Sequence, residues 1–322
     1  MRYPILQPAS FGVPGPGGRP PYEQVRPGTG TDAPARAGLS ADVLGPIDVS
    51  AGGHRLSLQS GKIRCLAAIL ALNAGRPVSV SRLIDVLWAG APPASAGKNV
   101  HQYVYRLRAM LAVGGLVGRL TWQPAGYVLQ LHPGERDLDR FEALTAAGRR
   151  ARDEGDLAAA ADALTEALAL WRAEPLADVR DSQPLEEIAH ALSERRMCVV
   201  EERIAIDLRL GRFGPLVPQL AVLVAEHPLR ERLREYQMLA LYGSGRRADA
   251  LAVYHDCRSV LARDIGIDPG PTLTGLLSRM LTDDDALTAS LPPVPTSASV
   301  AGRLPGRRVS RSAVRPPSRP GR

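Results

Sequence analysis

Between residues 39 and 134, short extended runs, three apolar helical stripes and a closing hairpin pattern succeed one another with a breaker at every joint. Few folds accommodate that order. Val43 to Val49 and Arg55 to Leu58 read as strand segments about the turn signal Ala51-Gly52-Gly53. Ser60 then offers an N-cap to a helix whose apolar face is Ile63, Leu66, Ala67 and Leu70, ending at Gly75 before Pro77. Ser79 or Ser81 caps a second helix striped by Leu83, Ile84, Leu87 and Trp88, and Pro92-Pro93 breaks it. A third helix runs from about Ser95 to Met110 or Leu111 and buries Val100, Tyr103, Val104, Leu107 and Leu111. Arg119 to Gln123 and Tyr127 to Leu131 close the segment as a hairpin about Pro124-Ala125-Gly126. Strands, three helices and a terminal hairpin are the layout of a winged helix-turn-helix.

Charge separates this module from the remainder of the chain. From 39 to 134, nine Lys or Arg face three Asp and no Glu, whereas from 135 to 281 twenty Arg face 25 acidic residues, so a +6 module joins a −5 one. The acidic module reads as almost all helix, over about 137–154, 156–171, 184–210, 214–226, 229–243, 246–263 and 271–281. Gly211 and Gly245 lie 34 residues apart, the tetratricopeptide period, and Gly155 begins a similar segment. The fold class expected is mainly α, a winged helix-turn-helix followed by an all-α tetratricopeptide-like domain. Residues 1–38, with eight Pro and seven Gly, and residues 282–322, a DDD run followed by a basic Pro/Ser/Arg mixture, read as disordered extensions.

The outward face of the third helix carries Lys98, Asn99, His101, Gln102, Tyr105, Arg106 and Arg108. A helix is narrow enough to enter a DNA major groove, where such side chains meet phosphates and base edges. An arbitrary amphipathic helix presents a similar solvated face, and the winged order and the positive module together favour DNA. His101 has no second His, Cys or carboxylate at metal spacing, and no metal or other cofactor is expected. Nor is catalysis. GxSxG and HExxH are absent, Gly61-Lys62 lacks the remainder of a phosphate loop, and the pairs Glu186-Glu187 and Glu201-Glu202 read as solvated ion-pair partners of nearby arginines. Trp88, Trp122 and Trp171 sit in apolar patterns and read as core, as do Cys65, Cys198 and Cys257, whose odd number and wide spacing fit neither a disulfide framework nor zinc. Without an apolar run long enough for a membrane span or a secretory signal, the expected location is the cytoplasm, at the nucleoid.

LGPIDV at 44–49, RPVSVSRLIDVLW at 76–88, PPASAGKNVHQYVYRLRAML at 92–111 and PAGYVLQL at 124–131 resemble the OmpR-type DNA-binding domain of the Streptomyces antibiotic regulatory proteins. DLDRFEALTAAGRRARDEGD at 137–156, LWRAEPLADV at 170–179, the 227–261 segment beginning HPLRERLREYQ and GIDPGPTL at 266–273 are similar to the bacterial transcriptional activator domain that comes after it in that family. The resemblance implies a pathway-specific activator of secondary-metabolite genes that binds direct repeats near the −35 region, pairs as a homodimer on duplex DNA and recruits RNA polymerase with its sigma factor. Two departures stand out. Gly97 occupies a position where the family usually has a larger, often basic residue, and the hairpin tip lacks the arginine that many winged domains send into the minor groove, leaving Arg119 as the substitute. The competing readings are a helical-repeat scaffold whose basic domain serves RNA or an acidic protein, and a repressor that only occludes a promoter.

Overall fold

The computed structural model describes residues 38–282 and Leu287, so the two extensions read as disordered fall almost wholly outside the described residues. β1 (Leu39–Asp42), β2 (Asp48–Ala51) and β3 (His54–Arg55) form an antiparallel sheet in that order. Gly52 and Gly53 make the β2–β3 turn with φ of 59° and 82°, the paired left-handed conformation that a two-residue hairpin needs. The first strand begins earlier than the sequence suggested, because Val43 to Ile47 is a buried loop rather than a strand. Its backbone groups are taken elsewhere: the Val43 and Leu44 N–H groups donate to the Asp137 carboxylate, the Ile47 N–H to Asp178, and the Leu44 and Gly45 carbonyls accept from the Arg172 and Leu176 N–H groups. An apolar run with its hydrogen bonds already made has no need of a sheet neighbour.

Three helices come next: α1 (Gly61–Leu72), α2 (Val80–Trp88) and α3 (Ala96–Val113). Ser79 caps α2, its Oγ accepting from the Arg82 N–H, and Ala89 ends that helix in the left-handed region at φ 47°. The buried stripe of α3 is Ala96, Val100, Val104, Leu107 and Leu111, the spacing of one helical face. β4 (Leu120–Gln123) and β5 (Gly126–Leu129) form the wing. Gly126 is required there: a Cβ would stand 2.1 Å from the Val78 carbonyl oxygen, which accepts the Tyr127 N–H and docks the wing on the entry to α2.

The second module comprises α4 (Asp137–Asp153), α5 (Leu157–Ala169), α6 (Gln183–Arg209), α7 (Phe213–Glu226), α8 (Glu231–Gly243), α9 (Arg247–Asp264) and α10 (Pro271–Leu281). Neighbouring helices pack on one another along the chain. The glycine period has a local cause. Gly155, Gly211 and Gly245, with φ of 88°, 71° and 76°, each end a helix with the same pair of bonds: the glycine N–H reaches the carbonyl three residues back, and the next N–H reaches one five back. This left-handed cap reverses the chain into the next helix and recurs where helix pairs recur.

The two modules are joined by buried polar contacts. Asp137, the first residue of α4, is 1% exposed and holds the Val43, Leu44 and Leu138 N–H groups at 2.8 Å. Burial pushes its carboxyl pKa up, against the lowering effect of those donors. Arg136 donates to the last carbonyls of α1, Ala71 and Leu72, and Ser182 Oγ donates to Val86 of α2.

The expectation that Glu201 and Glu202 are solvated is not met. Glu202 is 1% exposed and grips the Arg149 guanidinium at 2.6 and 2.9 Å, while Glu201 pairs with Arg230. Bidentate pairing makes burial of that charge tolerable. Cys257 is buried, Cys65 and Cys198 are half-buried, and burial raises all three thiol pKa values.

Candidate nucleic-acid interface

Between Asp85 and Glu135 the chain contains no carboxylate, and that stretch holds the whole of α3 and the wing. On α3 itself no carboxylate offsets the positive charge. Lys98, Gln102, Tyr105 and Arg106 are exposed along one side of α3, Tyr105 by 73%. Among the described residues, Lys98 and Arg106 carry no ion pair and no internal hydrogen bond. Over 18 residues α3 extends about 27 Å at 1.5 Å per residue, enough to lie along a major groove.

The other expected site residues are placed differently. Asn99 donates to Ser95 Oγ at 3.2 Å and closes the first turn of α3. His101 Nδ1 and the Tyr127 hydroxyl share a hydrogen bond of 2.6 Å, so the imidazole ties α3 to β5. Arg108 donates from Nε to the Leu120 carbonyl at 2.8 Å and lies 5.6 Å from the Tyr127 ring centre, a second tie between helix and wing. Arg119 is turned away from the helix face. It forms a fork on Glu135 at 2.8 and 3.0 Å and donates to the Gln130 carbonyl, which makes it a brace at the foot of the wing rather than a free cation. Burial pushes the Glu135 pKa up, but the His132 N–H and the Arg119 guanidinium outweigh this and leave it lowered.

Three residues of the winged module are placed otherwise than the sequence suggests or lie outside the expected site. Arg76 and Arg82 flank the N-cap of α2 and, like Arg106, have no ion-pair partner among the described residues. Trp122, expected in the core, is 53% exposed near the tip of the wing, with its ring perpendicular to that of its cross-strand partner Tyr127 at a centroid separation of 4.9 Å. Alternation puts Trp122 on the face of Leu120 and Tyr127, which are both buried, and does not show that the cover ends before the tip of the hairpin. Trp171 does belong to the core, 5.3 Å edge-to-face from Phe141, and Trp88 is half-buried beside Tyr103.

Residues 136–281 match the family model described as bacterial transcriptional activator domain. Regulatory protein AfsR of Streptomyces coelicolor is 42% identical over 266 residues, covering 82% of this chain, and this chain spans only about a quarter of AfsR, 26%. Regulatory protein DnrI of Streptomyces peucetius is 35% identical over 272 residues, 82% of this chain and 99% of DnrI. The chain belongs to the Streptomyces antibiotic regulatory protein family. That family consists of transcriptional regulators, and the winged module followed by a helical repeat module is its architecture here. Mycobacterium tuberculosis EmbR, solved in complex with a low-affinity phosphopeptide, superposes with a TM-score of 0.73 at 37% identity, over 76% of this chain and 65% of that one. Among the described residues, no helix is long and apolar enough to cross a membrane, and no group of His, Cys, Asp and Glu is placed to hold a metal ion.

Proposed function

We propose that this regulator is a sequence-specific activator of transcription that lays α3 in the major groove of promoter DNA, binds direct repeats near the −35 region as a homodimer, and recruits RNA polymerase through its helical module. The observation that carries the reading is the side of α3 holding Lys98, Gln102, Tyr105 and Arg106, where the cations lack intramolecular partners and no carboxylate competes for them. Phosphate oxygens supply the missing anions, and an Arg on a groove-sized helix is suited to guanine. His101 and Arg108, fastened to the wing, set the angle between helix and hairpin and remain at the edge of the same surface. Residues 39–134 supply DNA contact in this reading, and residues 135–281 supply contact with polymerase, its sigma factor and a second protomer. Membership of the antibiotic regulatory protein family supports regulation of a secondary-metabolite gene cluster.

In vitro transcription with purified polymerase holoenzyme tests this on a promoter that the full chain footprints. The expected result is protection of two direct repeats and stimulated transcript. Protection with reduced transcript would make the protein an occluding repressor, and binding to RNA in preference to duplex DNA would replace the reading altogether.

A further inference from the structure

The wing carries no charge from Leu120 to Gly126, yet Trp122 stands half in solvent on it, and the exposed part of its indole forgoes favourable burial. Among the described residues, Tyr105 and Trp122 are the exposed aromatic side chains of Phe, Tyr or Trp type. Trp122 lies against one buried ring, that of Tyr127. Tyr127 takes the edge of Trp122 on one side, while its hydroxyl meets His101 and its ring face meets Arg108, two residues of α3 that lie one turn either side of Tyr105. Trp122 is thereby held beside the groove-facing surface of α3. Tyr127 itself is fixed by paired backbone bonds to Val78 of 2.8 and 2.9 Å, so the indole rests on a rigid seat.

We infer that Trp122 is the wing's DNA contact, an uncharged ring laid against the deoxyribose backbone next to the major-groove site. The inference rests on the DNA-binding reading above and adds the partner of the wing. Charge complementarity comes from the neighbouring cations of α3, which draw the sugar-phosphate backbone to this edge, and the ring then contacts the apolar sugar edges that line a minor groove. Burial of the exposed part of the ring against those edges supplies the favourable term. Two consequences separate it from a charged wing. An apolar contact releases no counterions, so it leaves the salt dependence of binding unchanged. A sugar contact carries no base information, so it strengthens matched and mismatched duplexes alike.

The test uses the full chain, a 40-base-pair duplex that the wild-type chain selects from a randomised pool, and a version of that duplex with its central bases scrambled. Trp122→Ala, checked for an unchanged thermal melt, is expected to bind both duplexes about tenfold more weakly. Its log-log salt slope should equal that of the wild type. Hydroxyl-radical footprinting should lose the sugars flanking the core site while retaining protection within it, and Trp122→Phe, which keeps a flat ring, should recover most of the affinity and the flanking protection. Wild-type affinity in Trp122→Ala, loss of discrimination between the duplexes, or failure of Trp122→Phe to recover would each overturn the inference while leaving DNA binding by α3 intact. A wild-type chain that selects no duplex at all would instead remove the DNA-binding reading and this inference with it.

Discussion

Arg106 and Lys98 stand on α3 without a carboxylate, whereas in the helical module Arg149, Arg152, Arg203, Arg212, Arg230 and Arg234 each lie against one. The chain has 40 Lys and Arg in all, so their number says little about function. What distinguishes the outer face of α3 from the helical module is whether acids were placed beside the basic residues. In the helical module the ion pairs fasten helices together, as Arg149 to Glu202 joins α4 to α6 and Arg234 to Asp256 joins α8 to α9. In the winged module Arg55, Arg64 and Arg119 are paired as well, and it is on α3 that Lys98 and Arg106 are left facing outward, available to an external anion.

The junction between the regions is the first place to break this comparison. Asp137→Ala leaves three buried backbone N–H groups without their acceptor, and the full chain should lose about 3 kcal/mol of stability in chemical denaturation. A loss below about 1 kcal/mol would show that the junction tolerates separation. By the same argument, a fragment cut at residue 134 deprives the Leu39, Ala41, Val43, Leu44 and Ile47 N–H groups of their partners at Glu135, Asp137 and Asp178. It should melt well below the full chain and bind duplex only to the extent that it folds.

Arg106→Ala comes next. It should weaken binding to the selected duplex by about 1 to 3 kcal/mol and relax selectivity at one base pair, with no change in melting temperature. Equal weakening on every sequence would assign Arg106 to a phosphate instead.

Arg119 supplies the opposite case. Arg119→Ala should cost about 1 kcal/mol of stability, because its fork on Glu135 is mostly shielded from water, while the folded variant keeps duplex affinity within about twofold. The pH dependence comes from Glu135. Its lowered carboxylate pKa means that the stabilisation is present above the unfolded-state value and is lost as pH falls through the lowered one. Arg119→Ala should therefore differ from the wild type at neutral pH and converge with it in acid. The smallest effect is expected for Arg195→Ala, whose exposed pair with Glu142 contributes about 0.5 kcal/mol or less.

The helices were legible in the sequence because their signals are local: apolar stripes at helical spacing, Ser79 at a cap, and Gly155, Gly211 and Gly245 at the reversals. The face of α3 was legible for the same reason. The misreadings came from contacts made at long range. Val43 to Ile47 looks like a strand until Asp137 and Asp178, some 94 and 131 residues away, take its N–H groups. Arg119 looks free until Glu135 is brought beside it, and Trp122 looks like core because it shares a face with Leu120 and Tyr127, whose cover stops short of it. Alternation in a strand states which residues share a face and leaves open whether anything covers that face.

The most direct test of the account is the salt dependence of duplex binding by the full chain and by Lys98→Ala, Arg106→Ala and Arg195→Ala. If the unpaired cations of α3 meet phosphates, the log-log slope should flatten by about 0.9 for each phosphate contact removed, with Lys98→Ala showing the change and Arg195→Ala retaining the wild-type slope. Arg106→Ala should flatten the slope only if it touches phosphate, and lose base selectivity otherwise. A chain that binds duplex with a slope unaffected by Lys98→Ala and with selectivity unaffected by Arg106→Ala would place the DNA on another surface and contradict the account.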